Sequence, residues 1–404
     1  MAENGRIIIV GAGPVGVVTA LAAARLGFLV TLLESSLTAD DNPRAATFHP
    51  STLEMIAGLG IMDEFMRVGL AARYIDFWDK PTGTMVARMD HEVLADDTPF
   101  PFVVQTEQHK LVRIGLERLQ SMPNVDIRLG WAVERVQQDA DSVTVTAVSD
   151  VETEQITGAW LVASDGGRST VRKLLGIDFE GYTWPERFVV LTTSFDFAAA
   201  LKCSPRSYFS DPAEWANLFK VAGDDMQGRW RVVFPAGVDE SDEDAVSDEA
   251  SAARLARIWP TDTPRELLHR QIYNVHQRVA AKFRHGRIFL AGDAAHVNNP
   301  IGGLGLNCGI HDAMELVTTL DLVRSGKSDE SLLDRYERRR RKLNIEFVQE
   351  QTVANKKRLE EKDPVLRRER LDELAAISAS PQRQRTFLRR TSLLDSVRQS
   401  ATIR

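Results

Sequence analysis

The sequence predicts an α/β fold: a parallel sheet flanked by helices, interrupted by an inserted β-sheet domain and followed by a helical C-terminal tail. Three observations predict it. Residues 7–34, IIIVGAGPVGVVTALAAARLGFLVTLLE, read as apolar strand, glycine turn, helix and second strand. Two more short apolar runs, at 160–163 and 287–292, are each followed by a Gly/Asp turn. From about 178 to 283 the composition shifts to short alternating segments such as GRWRVVFP, a period-two strand pattern.

Taken in order, Ile7 to Val10 form a run typical of a strand buried on both faces. Gly11, Gly13 and Gly16 then give G-x-G-x-x-G, the Rossmann-like dinucleotide fingerprint. Gly11 permits the tight turn, Gly13 lets a pyrophosphate approach the backbone, and Gly16 lets the helix lie close to the strand. The helix over Val15–Leu26 would aim free N–H groups and a partial positive charge at the phosphates. The second strand, Phe28 to Leu33, ends at Glu34, placed to accept hydrogen bonds from a ribose. This motif alone does not separate NAD from FAD. A loop carrying Arg44 and His49 follows. Ser51 to Gly60 reads as a helix with Ser51 as N-cap. Residues 74–104 read as strands and turns, Gln108–Leu119 as an amphipathic helix, and 125–148 as alternating strands. A buried strand, Trp160–Ala163, leads into SDGGRSTVRKLLG. In the inserted region Trp230, Val232 and Phe234 share one face. The acidic run 239–251 reads as a solvated loop and helix start. RIFLAG returns to a buried strand, and His311–Val323 is helical. The Arg-rich tail reads as helices with exposed Arg faces paired with Glu. No internal repeat is present.

The 404 residues suffice for two or three domains. A net charge of -7 and a pI near 5.7 give no global basic field for nucleic acid. Two cysteines exclude a disulfide scaffold and fit a reducing cytosol. With no signal-peptide pattern or apolar run of spanning length, a cytoplasmic protein without integral membrane association is expected.

Asp165 with Gly166, and Asp293, each follow a buried strand, at the carboxyl ends where open α/β sheets bind ligands. A lone Asp-Gly or Gly-Asp is a common turn. The ordered set VGAGPVGVVTALAAARLG, LVASDGGRSTVRKLLG and GRIFLAGDAAHVNNPIGGLGLNCGIHDAMEL is far more specific. In these segments the sequence resembles the single-component flavoprotein aromatic hydroxylases, the group containing 4-hydroxybenzoate and 3-(3-hydroxyphenyl)propionate hydroxylases. The resemblance covers about residues 5–60, 100–180 and 275–325. It implies a discontinuous FAD-binding domain (1–73, 103–178, 283–345), an inserted substrate sheet (74–102, 179–282) and a helical C-terminal segment (346–404). By resemblance Gly11, Gly13, Pro14, Val15, Gly16 and Glu34 hold the ADP half of FAD, and Arg44 and Gln108 touch the cofactor. Asp165 belongs to a motif serving FAD and the nicotinamide cofactor. Asp293 bonds the ribityl chain, and Gly303, Gly305, Leu306 and Asn307 flank the ring.

The residue chemistry agrees. Ionised Asp293 only accepts hydrogen bonds, which suits a polyol. Gly302, Gly303 and Gly305 allow backbone close to a flat ring, and a helix from about Leu306 would stabilise negative charge on reduced flavin. The implied activity is NAD(P)H- and O2-dependent hydroxylation of a hydroxy- or amino-substituted aromatic or N-heteroaromatic ring, through a flavin hydroperoxide. The catalytic candidates are Pro300, which by resemblance flanks the substrate, His296, Tyr208 and Arg231. His296 reads more readily as a structural partner than as a base. Trp215 and Trp230 are further pocket candidates, and Arg206, Arg229 and Arg231 could pair with a substrate acid group. No histidine spacing suggests a metal, and Cys308 and His311 read as packing residues. Partners are then a small aromatic substrate, O2, and NADH or NADPH, in a monomer or homodimer without nucleic acid. Rival readings are another FAD chemistry (dehydrogenase, epoxidase, halogenase), a flavin-free NAD dehydrogenase, and a non-enzymatic flavin-binding regulator.

Overall fold

The structure, a computed structural model, describes residues 5–38, 44–261 and 265–404. Among the described residues the sheet that begins the chain has six strands. Their order is Arg284–His285, Ile288–Leu290, Trp160–Ala163, Arg6–Val10, Leu29–Glu34 and Val125–Leu129. The pairings from Ile288–Leu290 to Val125–Leu129 are all parallel, with Ile7 opposite both Trp160 and Val30. Ile7, Ile8 and Ile9 are each 0% exposed, the reason these strands are unbroken apolar runs. The helix Pro14–Arg25 packs against Gln108–Gln120 and Gly305–Arg324. The approach to the first is close: a Cβ on Gly115 would lie 2.2 Å from a Val17 methyl. A three-stranded antiparallel sheet, 132–158, adds Val143, Val145 and Ala147 to the same core.

A second sheet of eight described strands runs His296–Val297, Leu267–Ala280, Phe179–Thr193, Arg229–Pro235, Ala216–Val221, Arg206–Ser210, Tyr74–Asp79 and Thr84–Asp90. Two-residue periodicity splits its side chains between two cores. Val189, Leu191, Trp230, Val232 and Phe234 pack with Phe197, Leu255 and Ile258. Phe188, Val190, Val233, Phe77 and Tyr208 pack with Ile301 and with Leu359, Leu374, Leu388 and Leu394 of the C-terminal helices. Trp230 therefore turns away from the face that meets residue 301, which removes it from the pocket candidates.

Two sequence expectations need correction. The helix expected from Ser51 is Pro50–Gly58 with His49 as N-cap. Pro50 takes the first helical position, where its missing N–H costs nothing, and the Ser51 hydroxyl donates instead to the Ser392 carbonyl at 2.7 Å. The tail is less solvent-facing than its Arg content suggests. Arg340 is 2% exposed and bonds Asp312, while the helices Glu350–Glu360 and Pro381–Thr391 cover the second sheet. Among the described residues no helix is long and apolar enough to cross a membrane.

Candidate active site

The glycine turn is shaped by its neighbours. Gly11 has φ +99°, and a Cβ there would lie 2.5 Å from the Ser164 carbonyl, just past the strand Trp160–Ala163. A Cβ on Gly16 would come 1.8 Å from the Gly11 carbonyl. Gly13 differs, because nothing lies within 4 Å of its missing Cβ. It is also the N-cap of Pro14–Arg25 and offers no side-chain cap, so the first N–H groups of that helix remain available to an anion. Val15 wedges between Gly292 and Gly309, where a Cβ on either would meet its Cγ2 at 2.7 Å. The Glu34 carboxylate lies against the turn: Oε2 accepts from the Ala12 N–H at 2.8 Å and Oε1 from the Ser36 N–H at 2.9 Å. The Ser35 hydroxyl also donates to Oε1 at 3.1 Å, so of about four acceptor positions one is open to a ribose hydroxyl, and the exposed Ser35 hydroxyl can yield a second.

The two Asp turns converge on this point. Asp165 Oδ2 accepts from the Val171 N–H at 3.0 Å, while Oδ1 is buried without a partner, a polar atom that invites a ligand. Asp293 follows the neighbouring strand Ile288–Leu290. Its side chain is exposed, yet the protein around it desolvates the carboxyl and pushes it above the usual range against the pull of His296 and Arg44. Arg44 is thus brought near Asp293, and Gln108 is tied to the same segment by its N–H to the Ala45 carbonyl at 3.1 Å. Sequence reasoning assigned no role to Arg172, which clamps the two turns together. Its guanidinium donates to the Gly167 carbonyl at 2.9 Å and the Ala294 carbonyl at 2.8 Å, and lies 3.8 Å from the Phe179 ring centroid. Its position in the S-T-V-R run was the one available signal.

The loop 298–304 closes the site. Gly302 and Gly303 have φ +110° and +67°, which favour glycine. The Gly302 carbonyl accepts from His49 Nε2 and from Arg206 Nη2, both at 2.9 Å. Burial, then Arg206, holds the His49 imidazole well below its ordinary pKa, so it is neutral and donates from Nε2. Asn307 backs the loop: Oδ1 accepts from the His49 N–H at 2.8 Å, and Nδ2 donates to the Thr47 and Gly303 carbonyls at 2.8 and 2.6 Å. The helix Gly305–Arg324, which includes Leu306, starts without a side-chain cap, so its first N–H groups are also available. Pro300 is exposed at the loop's edge.

His296 is fully buried and donates from Nε2 to Asp312 Oδ2 at 2.7 Å, while the Gly292 N–H donates to the same oxygen at 3.0 Å. Burial opposes its charge, but Asp312 and then Cys308 outweigh it, and the imidazole is pushed up to about 10. The donor set His296, Cys308 and Asp312 spans no more than 4.8 Å, a spacing a metal could use. Arg340 already supplies the cation: Nε donates to Asp312 Oδ1 at 2.6 Å and Nη2 lies 3.1 Å from Cys308 Sγ. The cluster thus holds the Gly292–Asp293 turn by an ionic network.

A cleft opens beside Gly302. Ile75, Phe77, Arg206 and Tyr208 form its sheet side. Gln351, Asn355, Arg358, Leu359, Phe387 and Thr391 form the other, all from C-terminal helices absent from the sequence-based picture of the pocket. Tyr208 stacks on Phe77 at 5.5 Å. The other sheet candidates lie elsewhere. Trp215 packs edge-on against Phe188, Arg229 pairs with Asp225, and Arg231 donates to the Arg44 carbonyl.

Glycine turn, paired acidic turns and uncapped helix ends meeting at the carboxyl edge of one parallel sheet define an FAD-binding oxidoreductase. Residues 5–351 match the family model described as FAD binding domain. The chain belongs to that family, among the single-component aromatic hydroxylases. It is 36% identical over 365 residues to a para-nitrophenol 4-monooxygenase of Pseudomonas sp. (strain WBC-3), covering 89% of each chain. It is 33% identical over 369 residues to a 6-hydroxy-3-succinoylpyridine 3-monooxygenase of Pseudomonas putida, covering 90% of this chain and 91% of the relative. The crystal structure of p-nitrophenol 4-monooxygenase from Pseudomonas putida DLL-E4 superposes with a TM-score of 0.89 at 33% identity, covering 96% and 98% of the two chains. The activity is that of an FAD-dependent monooxygenase of aromatic or heteroaromatic rings with NAD(P)H as co-substrate. The flavin-free dehydrogenase reading falls with the family match.

Proposed function

We propose that the enzyme hydroxylates one small aromatic ring that already carries a hydroxyl group, a phenol or a hydroxypyridine, at a carbon ortho or para to it. The observation that carries this reading is the cleft beside Gly302. Ile75, Phe77, Leu359 and Phe387 give it apolar walls for a ring, Arg206 and Arg358 add polar groups, and it meets the same glycine loop that leads into the uncapped helix Gly305–Arg324. Two relatives named for a nitrophenol and a hydroxylated pyridine support the substrate class.

FAD, when bound, would supply the redox chemistry that couples NAD(P)H oxidation to insertion of one atom of dioxygen into the ring and release of the other as water. This chain's residues bind and orient. Gly13, Pro14 and Val15 at the open helix end receive the pyrophosphate, and Glu34 accepts from the ribose. Asp293 accepts from the ribityl chain, with Asp165, Arg44 and Gln108 around it. Gly305, Leu306 and Asn307 would present backbone N–H groups to the ring edge, Gly303, whose own N–H is held by the Pro300 carbonyl at 2.9 Å, would let backbone pass close to the ring, and Pro300 borders the substrate. Apolar walls keep water from the reacting atoms. His296 and Arg231 are assigned to supporting the loops, since each is buried against protein partners. The two free, buried cysteines suit a reducing cytosol, as monomer or homodimer.

The test is a panel of phenols and hydroxypyridines offered to flavin-loaded protein, with NADH or NADPH oxidation, peroxide and product measured together. A substrate should give hydroxylated product in step with NAD(P)H. Its analogue lacking the ring hydroxyl should bind, release peroxide and emerge unchanged. Efficient hydroxylation of that analogue would overturn the activated-ring requirement.

A further inference from the structure

Arg206 begins the strand Arg206–Ser210, is 3% exposed and lines the cleft. Nε and Nη2 donate to the Tyr208 hydroxyl at 3.3 and 3.2 Å, and Nη2 to the Gly302 carbonyl at 2.9 Å. Every one of these acceptors is neutral, and Nη1 is buried with no partner at all. Arg340 and Arg254, just as buried, each hold a carboxylate, Asp312 and Glu240. Asp76, on the adjacent strand, is committed to Arg88 at 2.7 Å and to the Ser204 N–H at 2.7 Å. The fold therefore keeps a guanidinium out of water without an anion, a costly arrangement unless something else supplies the charge.

The surroundings say where that charge sits. His49 and His91 both feel the Arg206 charge: burial, followed by Arg206 itself, lowers both, His91 to about 4. Neither can be the missing anion. The Tyr208 hydroxyl accepts from Arg206, so its own proton is free to be donated into the cleft. Arg358, on the opposite wall, has Asn355 Oδ1 at 3.3 Å. Arg206 is at the end of the cleft bounded by Gly302, which under the reading above is the flavin side, so an anion there belongs to the ring that reacts.

We propose that Arg206, with the Tyr208 hydroxyl as second donor, is the counter-ion of a ring-bound phenolate oxygen, so that the cleft takes its substrate as the anion. The inference rests on the phenol or hydroxypyridine reading above. The substrate O–H ionises, its proton goes to solvent water, and the electron pair stays on the oxygen, raising ring electron density. A planar fork suits an oxygen held in the plane of an aromatic ring.

The experiment titrates flavin-loaded protein with 4-nitrophenol, whose neutral and ionised forms absorb at different wavelengths, and with its methyl ether, 4-nitroanisole. At a pH below the free phenol's pKa the bound probe shows the phenolate band, its ionisation favoured about tenfold or more. In Arg206→Gln, which keeps an amide donor for the Gly302 carbonyl, that preference disappears. Binding of 4-nitrophenol weakens by about ten- to a hundredfold, the scale of one charged hydrogen bond, while 4-nitroanisole is little changed. Arg206→Lys recovers part of the preference. Equal weakening of both probes would reduce Arg206 to a prop for Gly302 and overturn the proposal. So would wild-type protein binding the neutral phenol, or no 4-nitrophenol, a result that needs no variant. Arg206-dependent binding of 4-methoxybenzoate tighter than that of 4-nitrophenol would assign the arginine to a carboxylate and overturn it too. Binding is read without turnover, so a failure to hydroxylate would count against the reaction and leave this measurement standing.

Discussion

Glu34 serves the protein and a ligand with one carboxylate. It accepts from the Ala12 N–H, which shapes the glycine turn, and keeps a lone pair for a ribose at the same edge. Glu34→Ala should weaken FAD by about ten- to a hundredfold, the equivalent of about 1.5–3 kcal/mol for a charged hydrogen bond. The flavin-to-protein absorbance ratio after dialysis reads this directly, and undiminished retention would remove Glu34 from the site. Asp293 makes the complementary case. Its side chain is exposed just past the strand Ile288–Leu290, so Asp293→Ala should lose flavin while the unliganded protein melts at close to the wild-type temperature. A variant that keeps both its flavin and its turnover would show that the ribityl assignment is wrong.

At the scale of elements, the strands Arg6–Val10 and Trp160–Ala163 were readable because burial on both faces leaves no room for polar residues. The glycine turn was readable because backbone contacts at Gly11 and Gly16 exclude any side chain. Ser51 misled because its side chain looks like a cap, whereas Pro50 had already set the helix start. The C-terminal helices were opaque as pocket walls. Leu359, Leu374, Leu388 and Leu394 are sparse among charged residues, and only the sheet they cover shows that they form a face. This gives a separable prediction. Leu388 is 0% exposed within that face, so Leu388→Ala should destabilise by about 2–5 kcal/mol. The loosened wall should raise KM for the aromatic substrate. Flavin content should fall less than stability, because the glycine turn and the strands that carry the Asp turns pack in the first core, and of the loop 298–304 Ile301 joins this one. Loss of flavin in step with stability would show that the two regions unfold together. Arg206 marks the limit of sequence reading: it stood with Arg229 and Arg231 as a partner for a substrate acid group, Arg231 was preferred as the catalytic candidate, and only burial and pairing tell the three apart.

Across the whole molecule, two kinds of buried histidine set opposite limits on stability. His49, His91 and His311 are held neutral, each first by burial and next by a nearby arginine, with His91 lowered to about 4 and His311 to about 3. In the unfolded chain they titrate near 6.5. Below that pH the unfolded state binds protons that the folded state refuses, so stability falls as pH drops from about 6.5 towards about 4. His296 has the reverse sign. Its folded pKa of about 10 lies above the unfolded value, so its contribution is complete below about pH 6.5 and fades as pH rises through about 10. The alkaline limb is the sharper test, because His296 shares the Asp312 Oδ2 acceptor with the Gly292 N–H, and pairs through its own strand with Val279 of the second sheet. His296→Asn should therefore melt lower than wild type at neutral pH, and the gap between the two should narrow steadily towards pH 10. Melting curves of both proteins across that range measure the gap, and one that stays constant or widens with pH would mean that His296 is neutral in the folded state.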